Sequence, residues 1–127
     1  MQKNKIIQLY IKELSEGNTQ NIIGLFSNDA KVISPVYGTM NAKDFYTKLS
    51  EDTSSSEIKL KQIYQSVSDT KDDSEWAAYF NYKWTLSEGT LVTFDVVDIF
   101  TFNPENLITE LRIIYDASVS KPYVNKE

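Results

Sequence analysis

A carboxylate lies in the middle of an apolar stretch of this chain, and it is the residue best placed to do chemistry. The segment from Val92 to Phe102 alternates with a period of two, as a strand does. Asp98 falls on the more apolar face, together with Val92, Phe94, Val96, Phe100 and Phe102. A buried carboxylate must find a donor, find a cation or stay protonated, because an unpaired buried charge is very costly. Since such acids are enriched at functional sites, Asp98 predicts a polar group inside an apolar cavity.

The composition limits which other side chains could react. The chain has 127 residues, with no cysteine and no histidine. It therefore has no disulfide and no thiol nucleophile, and it lacks both the commonest general base and the commonest transition-metal ligand. Acid–base chemistry is left to carboxylates, tyrosines and lysines. The sequence implies neither a metal nor an organic cofactor.

Net charge and hydropathy limit the classes of partner that the protein could bind. The net charge of −5 argues against a nucleic-acid partner, because phosphate binding requires a basic surface. No segment is long and apolar enough to span a membrane. The segment 1–5 leads into only a short apolar stretch, which predicts the start of a helix and no signal peptide. We expect a cytoplasmic protein.

The front of the chain is predicted to be mainly helical. The first helix ends at Gly17 and has apolar residues at helical spacing, namely Ile6, Ile7, Tyr10, Ile11 and Leu14. Thr19 is predicted to cap a second helix, which carries Ile22, Ile23 and Phe26 on one side.

A short strand and a third helix follow. The strand Ala30–Ser34 is stopped by Pro35, with Gly38 in the turn beyond it. Asn41 caps the third helix, which directs Phe45 and Leu49 inward. The polar segment 53–56 is predicted to be a mobile loop.

Four strands are predicted in the back of the chain: Glu57–Ser68, Glu75–Leu86, Leu91–Phe102 and Leu107–Asp116. The second strand has an aromatic-rich face of Trp76, Ala78, Phe80, Tyr82, Trp84 and Leu86. Turns are predicted at 87–90, at 103–106 and in the charged run Asp69–Asp73. The last strand is predicted to direct Leu107, Leu111, Ile113 and Tyr115 to one side.

Helices first and antiparallel strands afterwards indicate an α+β domain, with the helices covering one face of a curved sheet. Residues 1–117 are predicted to form this single domain. Residues 118–127 have little apolar periodicity and are predicted to be a loosely held C-terminal tail.

Four short strings carry a resemblance to a known family: residues 10–14 with Gly17, 25–32, 34–38 and 97–103. In the order and spacing of these strings, the chain resembles the NTF2-like superfamily, in its SnoaL-like and ketosteroid isomerase-like branch. The resemblance implies a cystatin-like cone. In this fold, N-terminal helices pack on a strongly curved antiparallel or mixed sheet that encloses a pocket.

The resemblance also implies a site. Ketosteroid isomerases have an oxyanion hole made of a tyrosine and a protonated aspartic acid. Tyr10 and Asp98 fall at the matching positions, and Tyr46 matches a tyrosine that supports the phenol through hydrogen bonds. A phenol and a neutral carboxylic acid are both donors, which suits a carbonyl oxygen or a developing enolate. Phe80, Trp84, Phe100 and Tyr115 would form the wall of the pocket.

The general base of that family has no obvious counterpart. The resemblance places it at Ser34, directly before Pro35, and a serine hydroxyl is too weak a base to abstract a proton beside a carbonyl. Asp95, Glu110 and Asp116 are substitutes in principle, although Asp95 points away from Asp98 on its own strand. True ketosteroid isomerase activity is therefore not expected.

Structural roles are the alternative for these residues. Tyr10 could be an ordinary core residue whose hydroxyl reaches a backbone group. Asp98 could pair with Arg112 or a lysine in a structural ion pair, or could cap a turn. The aromatic residues could simply form the core, although the concave face of a cone is both core and pocket wall.

The sequence leaves two functions open. The first is binding of a small apolar molecule with a carbonyl or hydroxyl group, with isomerase, cyclase or dehydratase chemistry through an enol(ate) if the protein is an enzyme. The second is a non-catalytic ligand-binding protein or a dimeric interaction module. A homodimer is expected through the outer sheet face, where Ala77 and Tyr79 point. A large closed pocket would favour the first function, and a filled cone with an apolar outer surface would favour the second.

Overall fold

A computed structural model describes residues 2–67 and 74–119 of the chain. The predicted turn at Asp69–Asp73 and positions 120–127 of the predicted tail lie outside the described residues. The helices are α1 (Lys3–Glu16), α2 (Thr19–Ile23) and α3 (Ala42–Glu51), with a short 3₁₀ turn at Ala117–Val119. The strands are β1 (Phe26–Ser34), β2 (Gly38–Asn41), β3 (Thr53–Gln65), β4 (Ser74–Leu86), β5 (Leu91–Phe102) and β6 (Ile108–Ile114).

The strands of the described chain form one six-stranded mixed sheet in the order β2-β1-β6-β5-β4-β3. Neighbouring strands are antiparallel except β1 and β6, which are parallel. The buried faces of α1 and α3 share one hydrophobic core with the inner face of the sheet. The sheet does not close into a barrel. This architecture confirms the predicted α+β cone with a mixed sheet.

The ends of α1 and α3 agree with the sequence. Gly17 ends α1 with a positive φ of 73°, a conformation that glycine adopts without steric cost. The side-chain oxygen of Asn41 accepts a hydrogen bond of 2.9 Å from the backbone N–H of Lys43 and so caps α3. These two residues set where α1 ends and where α3 begins.

Four predictions for the front of the chain are wrong. Asn18 occupies the N-cap position of α2, and Thr19 is the first helical residue. Phe26 begins β1 and does not belong to α2, so β1 starts before the predicted Ala30. The segment 53–56 is the start of β3, where it pairs with the end of β4, and is not a loop. Pairing with a neighbouring strand outweighs the low strand propensity of a polar segment.

The strands that carry the predicted site agree closely with the sequence. β5 has the predicted bounds, and Asp98 lies opposite Ala78 of β4 on the inner face. In β6 the alternation differs from the prediction. Thr101 pairs with Glu110, whereas the next residue, Phe102, pairs with Ile108, so β6 contains one additional residue between the two pairs. The additional residue is a β-bulge that turns Ile108 inward, and Leu107 is 36% exposed. The prediction that Leu107 lies on the same side as Leu111 is therefore wrong.

Candidate functional site

Three elements bring two tyrosines and one aspartic acid together inside the cone. Tyr10 comes from α1, Tyr46 from α3 and Asp98 from β5, and each is 1% exposed. The hydroxyl oxygens of Tyr10 and Tyr46 lie 2.6 Å apart, which is a short hydrogen bond between buried groups. The ring of Tyr10 also packs edge-on against Phe100, with 5.3 Å between the ring centroids. Packing on both sides therefore fixes the position of the Tyr10 hydroxyl.

Asp98 has a buried oxygen without a partner. Within the described chain, its Oδ1 atom accepts and donates no hydrogen bond, and no cation lies within ion-pair distance of the carboxyl group. Arg112 is exposed and lies opposite Ile99, whose side chain is on the other face of β5 from that of Asp98. The alternative of a structural ion pair between Asp98 and Arg112 is therefore not supported.

The electrostatics of the site favour neutral groups. Burial raises the pKa of Asp98 well above its usual range, because desolvation penalises the carboxylate. Burial likewise raises the pKa of Tyr10, with further increases from the nearby Tyr46 and Asp98. The pKa of Tyr46 and that of Tyr82 are raised mainly by burial as well. Burial thus favours the neutral forms of these carboxyl and phenol groups, and in its neutral form each group can donate a hydrogen bond.

Asp98 and Tyr10 line a small apolar cavity, which we name the cone cavity. Its volume is about 50 Å³. Of the predicted wall residues, Phe80, Trp84 and Tyr115 line it, whereas Phe100 does not and instead packs beneath Tyr10. The other lining residues are Leu14, Ser34, Tyr37, Phe45, Leu49, Tyr82, Phe94, Val96 and Ile113. The concave face is thus nearly filled by side chains.

Ser34 lines the cone cavity but is engaged by the backbone. Its Oγ atom accepts hydrogen bonds from the N–H groups of Val36, at 3.1 Å, and Tyr37, at 3.3 Å. A hydroxyl oxygen has two lone pairs, so both are directed at the turn after β1. Ser34 therefore has a local structural role that leaves no lone pair free to take a proton.

The three carboxylates considered as substitute bases do not line the cone cavity. Asp95 accepts from Asn81 at 3.2 Å and is exposed on the outer face of the sheet. Glu110 lies opposite Thr101, whose side chain points to the outer face of β5. Asp116 accepts a hydrogen bond from the backbone N–H of Ser118. None of these three carboxylates is therefore placed to act as a base on a ligand in the cone cavity.

Two tyrosines at the cavity were not singled out from the sequence as polar groups. The hydroxyl of Tyr37 donates to Oδ2 of Asp52 at 2.7 Å, which ties the turn after β1 to the end of α3. The hydroxyl of Tyr82 lies 2.8 Å from that of Ser56. The alternation of β4 places Tyr82 on the inner face, whereas Tyr37 lies in a turn, where no periodic signal marks it.

Neither a metal centre nor a membrane span is found in the part of the chain that the structure describes. No three carboxylate side chains in residues 2–67 and 74–119 converge on a position that could hold a metal ion. None of the helices in these ranges is long and apolar enough to cross a membrane.

The comparison with known proteins identifies the fold. Neither models of protein families nor curated protein sequences give a match to the chain. Solved structures do match. One is the epoxide hydrolase/cyclase-like enzyme SalBIII, which has a role in pyran ring formation in polyether salinomycin. It has 19% sequence identity to this chain and a TM-score of 0.74, over 92% of each chain. An NTF2-like protein of unknown function from Exiguobacterium sp. 255-15 has 18% identity and a TM-score of 0.68, over 87% of this chain and 98% of that one.

A third similar structure is designated a SnoaL-like polyketide cyclase from Shewanella putrefaciens CN-32. It has 13% identity and a TM-score of 0.73, over 96% of this chain and 84% of that one. Similarity at these identities establishes the fold alone, because one fold supports many unrelated functions. The chain has the NTF2-like, SnoaL-like fold, as the resemblance in its sequence implied.

Proposed function

We propose that this protein binds a small, neutral, mainly apolar molecule through a carbonyl or hydroxyl oxygen, with Tyr10 and Asp98 as the hydrogen-bond donors. The observation that carries the proposal is the unpartnered Oδ1 atom of Asp98, which is buried at the wall of an otherwise apolar cavity. Buried polar groups are nearly always hydrogen-bonded, and an exception requires an explanation. A bound oxygen atom would supply the missing partner.

The donor pair also defines what chemistry the site could support. Two donors in a dry cavity stabilise negative charge that develops on a carbonyl oxygen. If the protein turns a substrate over, the reaction class is an isomerisation, cyclisation or dehydration through an enol(ate). The cyclase designations among the similar structures agree with this class. Steroid isomerisation is not part of the proposal, because the Ser34 hydroxyl is held by the backbone.

The size of the cone cavity limits which ligands can bind without a movement of its wall. An apolar cavity of about 150 Å³ binds benzene, whereas a single water occupies about 30 Å³ in the liquid. The cone cavity of about 50 Å³ is therefore too small for an aromatic ligand unless part of its wall moves. Binding is expected to be accompanied by a side-chain displacement.

Titration calorimetry with 4-methoxyphenol tests the proposal. We expect Tyr10→Phe and Asp98→Leu each to weaken binding by roughly two- to tenfold, the effect of one lost hydrogen bond. Asp95→Asn is a matched control on the opposite face of β5 and should leave the affinity unchanged. Absence of binding to the wild type, or equal binding by all four proteins, would contradict the proposal.

Pairing of two copies through the outer face of the sheet is the second candidate function. The observation that favours it is a contiguous set of apolar side chains, here named the outer patch. Its members are neighbours across β3, β4, β5 and β6. They are Tyr64, Ala77, Tyr79, Val97, Ile99 and Ile114, and none of them is buried. The nearly filled cone also agrees with a role in which the outer surface makes the contacts.

A further inference from the structure

A second and larger cavity lies where α1 and α3 end and β3 begins. We name it the serine groove after its lining, which includes Glu16, Thr19, Ser50 and the segment 53–56. Its volume is about 330 Å³. Small-molecule sites typically have volumes of about 300–1,000 Å³, so the groove alone is large enough for a compact polar group.

A β-bulge lies in the part of β3 that lines this groove. Thr53 pairs with Leu86 and Ser55 with Thr85, so Ser54 is an additional residue in β3. In a regular strand, successive side chains point to opposite faces. Here four successive residues, 53–56, line the same cavity. Bulges are common beside functional sites, and this bulge brings four consecutive hydroxyl-bearing residues to the edge of the groove.

The groove offers neutral donors and acceptors. The hydroxyl groups of Thr19, Ser54 and Ser55 have no hydrogen-bond partner in residues 2–67 and 74–119. No lysine or arginine belongs to the lining, and Glu16 is its one charged member. A hydroxyl can both donate and accept, which suits the hydroxyl or amide groups of a ligand. A phosphate or carboxylate would meet the charge of Glu16 with no cation to offset it.

The serine groove and the cone cavity are separated by a single layer of side chains. Leu14, Leu49 and Tyr82 line both cavities. The Tyr82 hydroxyl is bonded to Ser56 on the groove side, and its ring stacks on Trp84 with 6.2 Å between centroids. Within the described chain, the bond to Ser56 is the one hydrogen bond that Tyr82 makes through its hydroxyl. Displacement of Tyr82 would break this hydrogen bond and its ring contacts with Trp84 and Phe94, and would open part of the layer between the two cavities.

We propose that the cone cavity and the serine groove are the two halves of one binding site for a neutral amphipathic molecule. Its apolar end, with the oxygen atom, binds in the cone cavity, and its hydroxyl- or amide-bearing end binds in the serine groove. Tyr82 is the movable divider between them. This inference rests on the proposed function for the cone half, and it explains how a cavity of about 50 Å³ can accept an organic ligand.

The test compares two phenols that differ at one end. Arbutin (4-hydroxyphenyl β-D-glucopyranoside) carries neutral hydroxyl groups opposite its phenol, and 4-methoxyphenol has only a methyl group there. We expect arbutin to bind the wild type about tenfold more tightly in titration calorimetry, the effect of roughly two additional hydrogen bonds. The double variant Ser54→Ala/Ser55→Ala should remove this advantage and leave 4-methoxyphenol unaffected. Ser87→Ala, at an exposed turn outside both cavities, is the matched control and should retain the advantage.

The outcomes separate this inference from the proposed function. If 4-methoxyphenol binds and arbutin binds no more tightly, or the serine variant keeps the advantage, the two-part site is overturned while the cone site stands. If the anionic probe 4-hydroxyphenylacetate binds as tightly as arbutin, the assignment of a neutral ligand is overturned. If the wild type binds none of the three probes, both the proposed function and the two-part site fail.

Discussion

Asp98 combines full burial, a missing hydrogen-bond partner and a position on a cavity wall. Hydrophobic alternation around it was enough to predict the burial, because every neighbour on its face is apolar. The raised pKa follows from desolvation alone, since no nearby charge contributes to it. The fold therefore favours the neutral form of this carboxyl group.

The raised pKa of Asp98 has a consequence for the stability of the fold. The pKa of Asp98 is raised in the folded state above the ordinary value of 3.8, so the unfolded chain loses its proton first as pH rises. Stability should then fall with increasing pH from about 3.8 up to the folded pKa. Asp98→Asn removes this dependence and should melt at a higher temperature than the wild type at pH 8, with a difference that shrinks towards pH 4.

Thermal unfolding followed by circular dichroism at several pH values measures this difference. Asp95→Asn, at the exposed face of the same strand, should show no comparable growth of the difference with pH. A folded Asp98→Asn protein that melts below the wild type at pH 8 would show that Asp98 is ionised and paired.

The buried hydrogen bond between the two tyrosine hydroxyls leads to a second prediction. Tyr10→Phe or Tyr46→Phe leaves one hydroxyl unpartnered, at a cost of about 1–3 kcal/mol in unfolding free energy. The double variant removes both polar groups, so its cost should be clearly less than the sum of the single costs. Urea unfolding of the four proteins gives the coupling free energy. Additive costs, within about 0.5 kcal/mol, would mean that the two hydroxyls do not depend on each other.

At the scale of elements, a polar cluster joins α1 to α2. The carboxylate of Glu13 accepts hydrogen bonds from the side chains of Asn18, at 2.8 Å, and Asn21, at 3.0 Å. The bonds from Asn21 and Asn18 lower the pKa of Glu13 below its ordinary value of 4.5. Stability gained from a lowered pKa is present above the unfolded pKa and is lost as pH falls through the folded one.

Glu13→Gln should therefore lower the melting temperature at pH 7, and the difference from the wild type should disappear as pH falls below about 4.5. Glu16→Gln is the control, since its contact with Asn18 is longer, at 3.2 Å, and exposed. A deficit of the Glu13→Gln protein that persists unchanged at pH 3 would assign the effect to packing and not to charge.

The strands show which features of the fold could be predicted from the sequence and which could not. Regular alternation was sufficient to predict β4 and β5 and to place Asp98 on the inner face. Such a prediction holds only while the register is unbroken, because a shift of one residue moves each following side chain to the opposite face. The bulge in β6 turned Ile108 inward where Leu107 was expected, and the bulge in β3 placed Ser54 and Ser55 on a cavity wall. Bulges depend on pairing with a distant strand, and no local pattern marks them. The serine groove was therefore not predictable from the sequence.

At the scale of the whole molecule, the outer patch remains the basis for a predicted homodimer. We expect the wild type to have the mass of a dimer in light scattering at micromolar concentration, because a closed two-fold pairing would bury these apolar side chains. Val97→Asp, at the centre of the patch, should yield a monomer. Thr93→Asp lies on the same face but outside the patch and should remain dimeric. A wild-type monomer, or a dimeric Val97→Asp protein, would remove this prediction.

The proposed function requires a neutral Asp98 that donates a hydrogen bond to a ligand oxygen in the cone cavity, and ¹³C NMR of the side-chain carboxyl carbon observes that group directly. With ¹³C-labelled aspartate, the Asp98 resonance is assigned by its absence from the Asp98→Asn spectrum. We predict that it keeps the chemical shift of a protonated carboxyl group through neutral pH, because burial raises its pKa, and that it shifts when 4-methoxyphenol is added. A resonance that titrates like that of an exposed aspartate, or that does not respond to the phenol at saturation, would contradict the donor role of Asp98.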